Sequence, residues 1–496
     1  LNNFDIIIVG SGLGGLLCGY TLSKEGYNVC VLEKNSQLGG CLQNFGRDGH
    51  VFETGVHYIG SLGEGQILNQ YFRYFDLMDK LKLKKLDEDC FDKINFGGKD
   101  YSYAQGFERF TDTMLSYFPS EKEAINKYVN KIQEVSIALN LMTLTEIDEN
   151  SFDLEINNII ASNYISSITS NTDLQNVLAG TNPLYAGVKG KSPFSLHALI
   201  NFSFIESAWR IENGSGEIAR QLTKSIKGFG GTVRNNSEVN SFVFENDDLK
   251  AVELINGEKI YAKNFISNVH PARTLELIES HKLKKAYRKR IESLENTVSN
   301  FTIYISLKED TFPLLNHNYY YYGMDDVWSG GKYDTKDWPQ LYLMMTPPSK
   351  HTTKFARNMI VMTYMRFDEV KKWEHTYVGD RGEDYLQFKQ DHTERLLNLI
   401  YQKYPELKDC IQSVSSSTPL TYRDYTGTVE GSMYGVLRDA TKPLETMVSS
   451  RTKIPNLFLT GQNIKFHGVL GVTIGSIVTS SCLLGMNYIV NKVKDA

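Results

Sequence analysis

Apolar and polar positions follow several different rhythms along this chain. Residues 6–9 and 29–32 are short, unbroken apolar runs, as in parallel strands buried on both faces. A helix is expected between them, and residues 52–60 read as a return strand. Residues 121–141 repeat apolar side chains at helical spacing, with Ile125, Tyr128, Val129, Ile132, Val135 and Ile137 facing inward. Residues 148–169 are more polar but carry Phe152, Leu154, Ile156, Ile159 and Ile160. Both stretches read as helices of a cap. A further helix opens near Gly214, runs through Ile218, Leu222 and Ile226, and stops at the glycines 228, 230 and 231. Strands at 239–244, 249–255 and 259–262 follow, the last two joined by an Asn256-Gly257 hairpin. Residues 265–268 then return to the main sheet. Strands at 302–307, 318–322, 340–345 and 358–365 suggest a second, mostly antiparallel sheet. In it the tyrosines 319 to 322 would point alternately to both faces.

The first strand ends in Val9-Gly10-Ser11-Gly12-Leu13-Gly14-Gly15, and the second ends at Glu33. Gly10 permits a tight turn, Gly12 admits a pyrophosphate to the backbone, and Gly15 lets helix and strand pack closely. The helix N-terminus presents free N–H groups and a positive dipole end. Glu33 lies 18 residues after Gly15, the place of an acid that accepts from ribose hydroxyls. Together these predict dinucleotide binding with a free ribose. Gly39-Gly40-Cys41 suggests backbone running close to a ligand. Near the C-terminus a strand at 454–460 ends at Gly461-Gln462, and an uncharged helix follows from about Gly471. A nicotinamide enzyme with one Rossmann unit does not need this second strand–glycine–helix module; a flavin does. Its ADP half can lie on the first glycine turn and its ring at the second helix start, where the dipole favours the reduced anion.

The length, 496 residues, implies two or three domains. A net charge of −5, from 53 basic and 58 acidic side chains, gives no support to nucleic-acid binding. The six cysteines include no Cys-x-x-Cys pair and no neighbouring histidine at zinc spacing, so reduced structural thiols and no metal site are expected. The first strand leaves no room for a signal segment before it, which points to a cytoplasmic protein. Residues 466–491 carry no formal charge, but their glycines, serines and threonines fit a buried helix better than a membrane span.

These blocks resemble the FAD-dependent family of phytoene desaturases, carotenoid isomerases and retinol saturases, with the nearest likeness to the retinol saturases. The resemblance rests on residues 9–15, on Val31-Leu32-Glu33-Lys34 with Gly39-Gly40-Cys41, and on Glu53-Thr54-Gly55-Val56-His57-Tyr58-Ile59-Gly60. It continues in Ala208-Trp209, in Arg381-Gly382-Glu383-Asp384-Tyr385, in Tyr434-Gly435 and in residues 454–462. It implies an α/β fold with a discontinuous, glutathione-reductase-type FAD-binding Rossmann domain (1–70, 205–275 and 411–496). A mixed-sheet substrate domain with a helical cap would occupy 71–204 and 276–410. It implies cofactor contacts at Gly10, Ser11, Gly12, Leu13, Gly14, Gly15, Glu33, Lys34, Gly39, Gly40, Cys41, Val239, Gly461, Gln462, Gly471 and Val472. His57 is the candidate for proton transfer. Tyr185, His197, Trp209 and Arg366 are candidates for the substrate site, with Trp373 a further cavity residue.

The expected reaction is redox chemistry at a carbon–carbon double bond of an apolar polyene or isoprenoid-like lipid. Carotenoid isomerisation or desaturation is the alternative, and a non-catalytic prenyl carrier of the GDP-dissociation-inhibitor type is the rival class. The electron donor is left between NAD(P)H and a separate reductase. Peripheral contact with the inner face of a membrane, through an apolar patch near the cap, is expected because the substrate is insoluble in water.

Overall fold

The computed structural model describes residues 3–145, 154–348 and 354–496. Its first sheet has seven strands. Thr232–Arg234, Val29–Leu32, Asn3–Val9, Lys259–Ser267, Asp248–Leu254 and Val239–Glu245 lie side by side, and Leu457–Leu459 adds to Lys259–Ser267. Strand Lys259–Ser267 joins the parts. Its first half pairs antiparallel with Glu253 to Ala251. Its second half runs parallel to Ile6–Val9 on one side and Leu457–Leu459 on the other. Residues 259–262 and 265–267, which read as two strands in the sequence, are therefore one continuous strand.

Alternate residues of the first strand enter two different cores. Ile6 and Ile8 pack with the helices, among Leu16, Leu17, Leu222, Ile226 and Ile474. Ile7 and Val9 pack on the hairpin side with Phe242, Val252, Leu275 and Leu459. The uncharged C-terminal stretch forms helices Gly468–Leu484 and Met486–Lys494, the first of them lying against helix Leu13–Lys24. Several of its hydroxyls are satisfied within the fold: Thr479 Oγ1 donates to Leu459 O at 2.8 Å and Ser476 Oγ to Thr473 O at 2.7 Å. Among the described residues no helix is long and apolar enough to cross a membrane.

The second sheet runs Ile411–Ser417, Ser299–Leu307, Asn358–Met365, Leu341–Met345, Asn318–Tyr322, Asp92–Phe96, Lys99–Tyr103. Every pairing is antiparallel except that of Asn318–Tyr322 with Asp92–Phe96. The tyrosine run alternates as expected. Tyr320 and Tyr322 face a core shared with helices Lys122–Ala138 and Phe194–Glu206. Tyr319 faces the core under helix Glu383–Lys403.

Three expectations are corrected. Residues 52–60 are not one strand. His50–Glu53 pairs with Asn44–Arg47, Ile59–Gly60 pairs with Trp209 and Ala208, and 54–58 is a loop between them. The segment after 411 begins in the second sheet rather than the first, because strand Ile411–Ser417 pairs with Ser299–Leu307. Ile137 is 57% exposed at the end of its helix, while Ile125, Tyr128, Val129, Ile132 and Val135 are buried. Phe152 lies outside the described residues.

Gly60 tests this packing. A Cβ there would sit 2.5 Å from the Ser203 carbonyl oxygen, whereas one at Gly228, the last residue of its helix, meets nothing within 4 Å. Gly60→Ala is expected to destabilise by about 1–3 kcal/mol. Gly228→Ala should be neutral or mildly stabilising. Thermal unfolding of the two variants beside wild type checks both.

Candidate functional site

The first glycine turn is crowded. Gly10 has φ 96° and donates its N–H to Leu32 O at 2.8 Å, fixing the turn to the second strand. A Cβ on Gly15 would lie 2.1 Å from Gly10 O, and one on Gly14 would lie 2.8 Å from the Gly461 Cα. The two distant glycine segments therefore touch. Gly12 caps helix Leu13–Lys24 with no side-chain hydrogen bond, so the first N–H groups of that helix are left for a ligand. A Cβ on Gly12 would meet Asn268 Nδ2 at 2.7 Å, a constraint additional to ligand approach.

Glu33 is buried against this turn. Its Oε2 accepts from Ser11 N at 3.0 Å and Ser11 Oγ at 2.7 Å, and its Oε1 from Asn35 N at 3.0 Å. A carboxylate has about four acceptor positions, so one remains for a ribose hydroxyl. Gly39 N donates to Ser11 Oγ at 3.1 Å, and a Cβ on Gly40 would meet the Gly12 Cα at 3.2 Å. Ser237 N donates to Glu33 O at 2.7 Å and brings Val239 to the same edge. Lys34 turns away, its Nζ donating to Asp424 O at 2.8 Å. Cys41 is half-buried, and burial pushes its thiol up. Gln462 is half-buried beside Gly461. Gly471 and Val472 lie in the first turns of helix Gly468–Leu484, and a Cβ on Gly471 would meet the Phe466 Cβ at 2.6 Å.

The turn continues into a cavity. Gly55 packs on Cys41, its absent Cβ 3.1 Å from the Cys41 Cβ. From there residues 55–60 form one wall of about 1010 Å³ of unfilled space, counted to its open mouth. Leu199, Ile200 and Phe204 of helix Phe194–Glu206 form a second wall, and Leu341, Leu343 and Met362 the sheet floor. Tyr434 and residues 467–471 close the end near the glycine turn.

Three side chains lining this apolar space hold buried polar atoms with no partner: both ring nitrogens of His57 and His467, and Nδ2 of Asn300. Such atoms are costly unless a ligand meets them. His57 Nδ1 is 3.5 Å from Glu53 Oε2, long for a hydrogen bond. His467 lies over the Tyr434 ring at 4.3 Å, and burial, then Arg438, holds its imidazole down to about 3, so it is neutral at physiological pH.

Behind the wall lies a polar network that the sequence reading missed. Tyr58, which lines the cavity, donates to Asp92 Oδ2 at 2.9 Å and sits 2.5 Å from the Tyr320 hydroxyl. Asn318 Nδ2 donates to Asp92 Oδ1 at 2.7 Å, and Arg210 Nη2 donates to Asn318 Oδ1 at 2.6 Å. Burial raises the Asp92 carboxyl to about 7, against the opposing pull of Asn318, Tyr58 and Arg210. Burial lowers the Arg210 guanidinium to about 10. The available signal was Asp92 itself, an acid between Phe91 and Ile94 in an otherwise inward-facing stretch.

The four substrate candidates do not line the cavity. His197 is held between Tyr128 Oη at 2.7 Å and Tyr185 Oη at 2.8 Å, fully buried, and desolvation takes it down to about 3. Trp209 donates its Nε1 to Ser207 Oγ at 2.8 Å in a small side sheet. Arg366 lies 4.7 Å over the Tyr333 ring and donates to Tyr333 O at 2.7 Å. Trp373 packs on Tyr385 and donates to Asp384 at 3.0 Å.

A family model described as an NAD(P)-binding Rossmann-like domain matches residues 8–75. An all-trans-retinol 13,14-reductase of Rattus norvegicus is 29% identical over 97% of this chain and 86% of its own length. A chloroplastic prolycopene isomerase of Daucus carota is 23% identical over 96% of this chain and 79% of its own length. Cyclohexylamine oxidase from Brevibacterium oxydans superposes with a TM-score of 0.60 at 12% identity, covering 98% of this chain and 99% of its own, and shares the fold.

Replacing Glu33 tests the first turn. Glu33→Ala removes the acceptor that orders Ser11 and any ribose contact, so dinucleotide affinity by calorimetric titration should fall about tenfold or more. The resemblance to the phytoene desaturase, carotenoid isomerase and retinol saturase family extends over nearly the whole chain.

Proposed function

We propose that this protein is an FAD-dependent oxidoreductase acting on a carbon–carbon double bond of an apolar polyene or isoprenoid-like lipid, most like a retinol saturase. One observation carries the reading: an apolar cavity is walled by residues 55–60 and the start of helix Gly468–Leu484, and its Gly55 packs on Cys41, next to the Gly40 that touches the glycine turn. The residues present suit FAD in a Rossmann domain of the glutathione-reductase type. The Gly12, Gly14 and Gly15 cradle has no room for side chains, Glu33 keeps one acceptor position, and the cavity offers buried polar atoms to the edge of a heterocycle. Bound there, a flavin supplies hydride transfer to or from carbon. The relatives named for all-trans-retinol reduction and prolycopene isomerisation support a polyene substrate.

The chain's own residues then have three tasks. Leu341, Leu343, Met362 and Phe204 hold an extended apolar chain and exclude water. His57, His467 and Asn300 pair with the polar atoms of whatever is bound. A proton must reach the carbon that receives no hydride. His57 stands on the wall, but neither ring nitrogen has a hydrogen-bonded partner to recharge it after a proton is given up. NAD(P)H is our proposed source of electrons.

Anaerobic incubation of the FAD-loaded protein, in its reduced and in its oxidised form, with all-trans-retinol and with prolycopene tests this. Loss of one conjugated double bond, seen as a blue shift, is expected; a red shift or isomerisation alone selects the desaturase or isomerase reading. Protein that binds no flavin after reconstitution overturns the proposal.

Membrane contact is part of the same reading. The cap offers Ile137 at 57% exposure, but a denser set lies at Tyr377, Val378 and Leu386, exposed by 79%, 54% and 62%, close in sequence to Lys371 and Lys372. Exposed apolar tips suit insertion at a bilayer surface. Wild type should sediment with liposomes containing phosphatidylserine, and Tyr377→Ser with Val378→Ser should weaken this severalfold.

A further inference from the structure

We propose that Tyr58 delivers the proton in this reaction and that Asp92 resupplies it, the pair forming a relay through the cavity wall. The inference rests on the polyene-reductase reading above. Three geometric facts carry it. Tyr58 is a wall residue of the cavity, its ring 4.4 Å from that of Phe204, another wall residue. Its hydroxyl is 2.9 Å from a carboxyl with no solvent exposure. That carboxyl is kept from pairing directly with the nearby cation, because Asn318 stands between Asp92 and Arg210 with hydrogen bonds of 2.7 and 2.6 Å. A buried acid tied only to neutral donors holds its proton more readily than one in an ion pair, and burial raises this one to about 7.

The titratable groups around Asp92 are Tyr58 from the loop, Tyr103 on the antiparallel neighbour, Tyr320 and Tyr322 on the parallel neighbour, Arg210 from the side sheet, and Cys90 just before it. Burial raises the hydroxyls and the thiol, so Arg210 is the one charge of this set at neutral pH. His57, the other wall group suited to proton transfer, has no such chain behind it.

The step balances without a further reagent. Reduction of the alkene adds a hydride, the contribution of the reduced flavin, to one carbon and a proton to the other. The Tyr58 O–H bond breaks as its proton bonds to carbon, taking up the electron pair of the former double bond. The protonated Asp92 carboxyl gives its proton to the Tyr58 oxygen and becomes a carboxylate. It is reprotonated from water before the next turnover.

The test has two independent arms. In the protein without cofactor, infrared spectroscopy should show a protonated carboxyl band that titrates near neutral pH, vanishes in Asp92→Asn and changes frequency in Tyr58→Phe. In the loaded enzyme, the rate should fall as pH rises through about 7, because Asp92 must carry its proton. Tyr58→Phe keeps the ring packing and should reduce the rate about a hundredfold or more, with flavin content and retinol binding unchanged. Asp92→Asn should slow turnover and abolish that pH dependence. A Tyr58→Phe enzyme that turns over at the wild-type rate, or a wild type with no band titrating between pH 5 and 9, overturns the relay. Where wild type reduces polyenes and Tyr58→Phe does so equally well, the relay alone falls. Where loaded wild type reduces none, the functional reading falls and the relay with it.

Discussion

The close approach of two glycine segments, far apart in sequence, is the constraint on which the rest of this structure depends. Gly14 in the first turn and Gly461 after the last strand meet with no space for a Cβ between them. That contact aligns helix Leu13–Lys24 with helix Gly468–Leu484, and the second helix starts at the cavity. Strand Lys259–Ser267 sets the separation, because it hydrogen-bonds to the first strand on one side and the last on the other. The cavity thus receives the positive end of helix Gly468–Leu484, and an anionic or electron-rich ligand is its natural complement.

From that region a single path of small residues leads outward. Gly12 touches Gly40, Cys41 follows Gly40, and Cys41 touches Gly55. Gly55 opens the cavity wall, and the space then widens between a buried helix and the floor of the second sheet. His197 and Trp209 are satisfied inside the fold, while His57, His467 and Asn300 are left unmet around the cavity. In a low-dielectric interior such unmet polar atoms facing a cavity gain from a ligand that pairs with them.

Much of this was legible in the chain because it is local. The 6–9 run, the glycine turn and Glu33 follow from apolar continuity and spacing. The Asn256-Gly257 hairpin and the alternating tyrosines follow from turn chemistry and the two-residue period of a strand. Where the sequence misled, a long-range partner decided. Residues 52–60 look like one strand, but their two ends pair with Asn44–Arg47 and with Ala208–Ile211. Residues 411–417 look like the return to the first sheet, yet an edge strand of the second sheet claims them. Tyr185, His197, Trp209 and Arg366 carry suitable chemistry, and nothing local reveals that each is satisfied away from the cavity.

By itself the sequence determined the two glycine-ended strands, the acid after the second strand, the apolar character of the interior and the likeness to flavoenzymes of polyene metabolism. Each depends on neighbours a few residues apart or on the summed composition of a segment. Only the tertiary structure decided which polar groups are left without partners and which buried acid stands behind the wall. Asp92 meets Tyr58 and Asn318 from two separate stretches of chain, and Arg210 joins through Asn318 from a third. Burial and hydrogen bonding are properties of that meeting, and they set the proton affinity of Asp92, which no single stretch encodes.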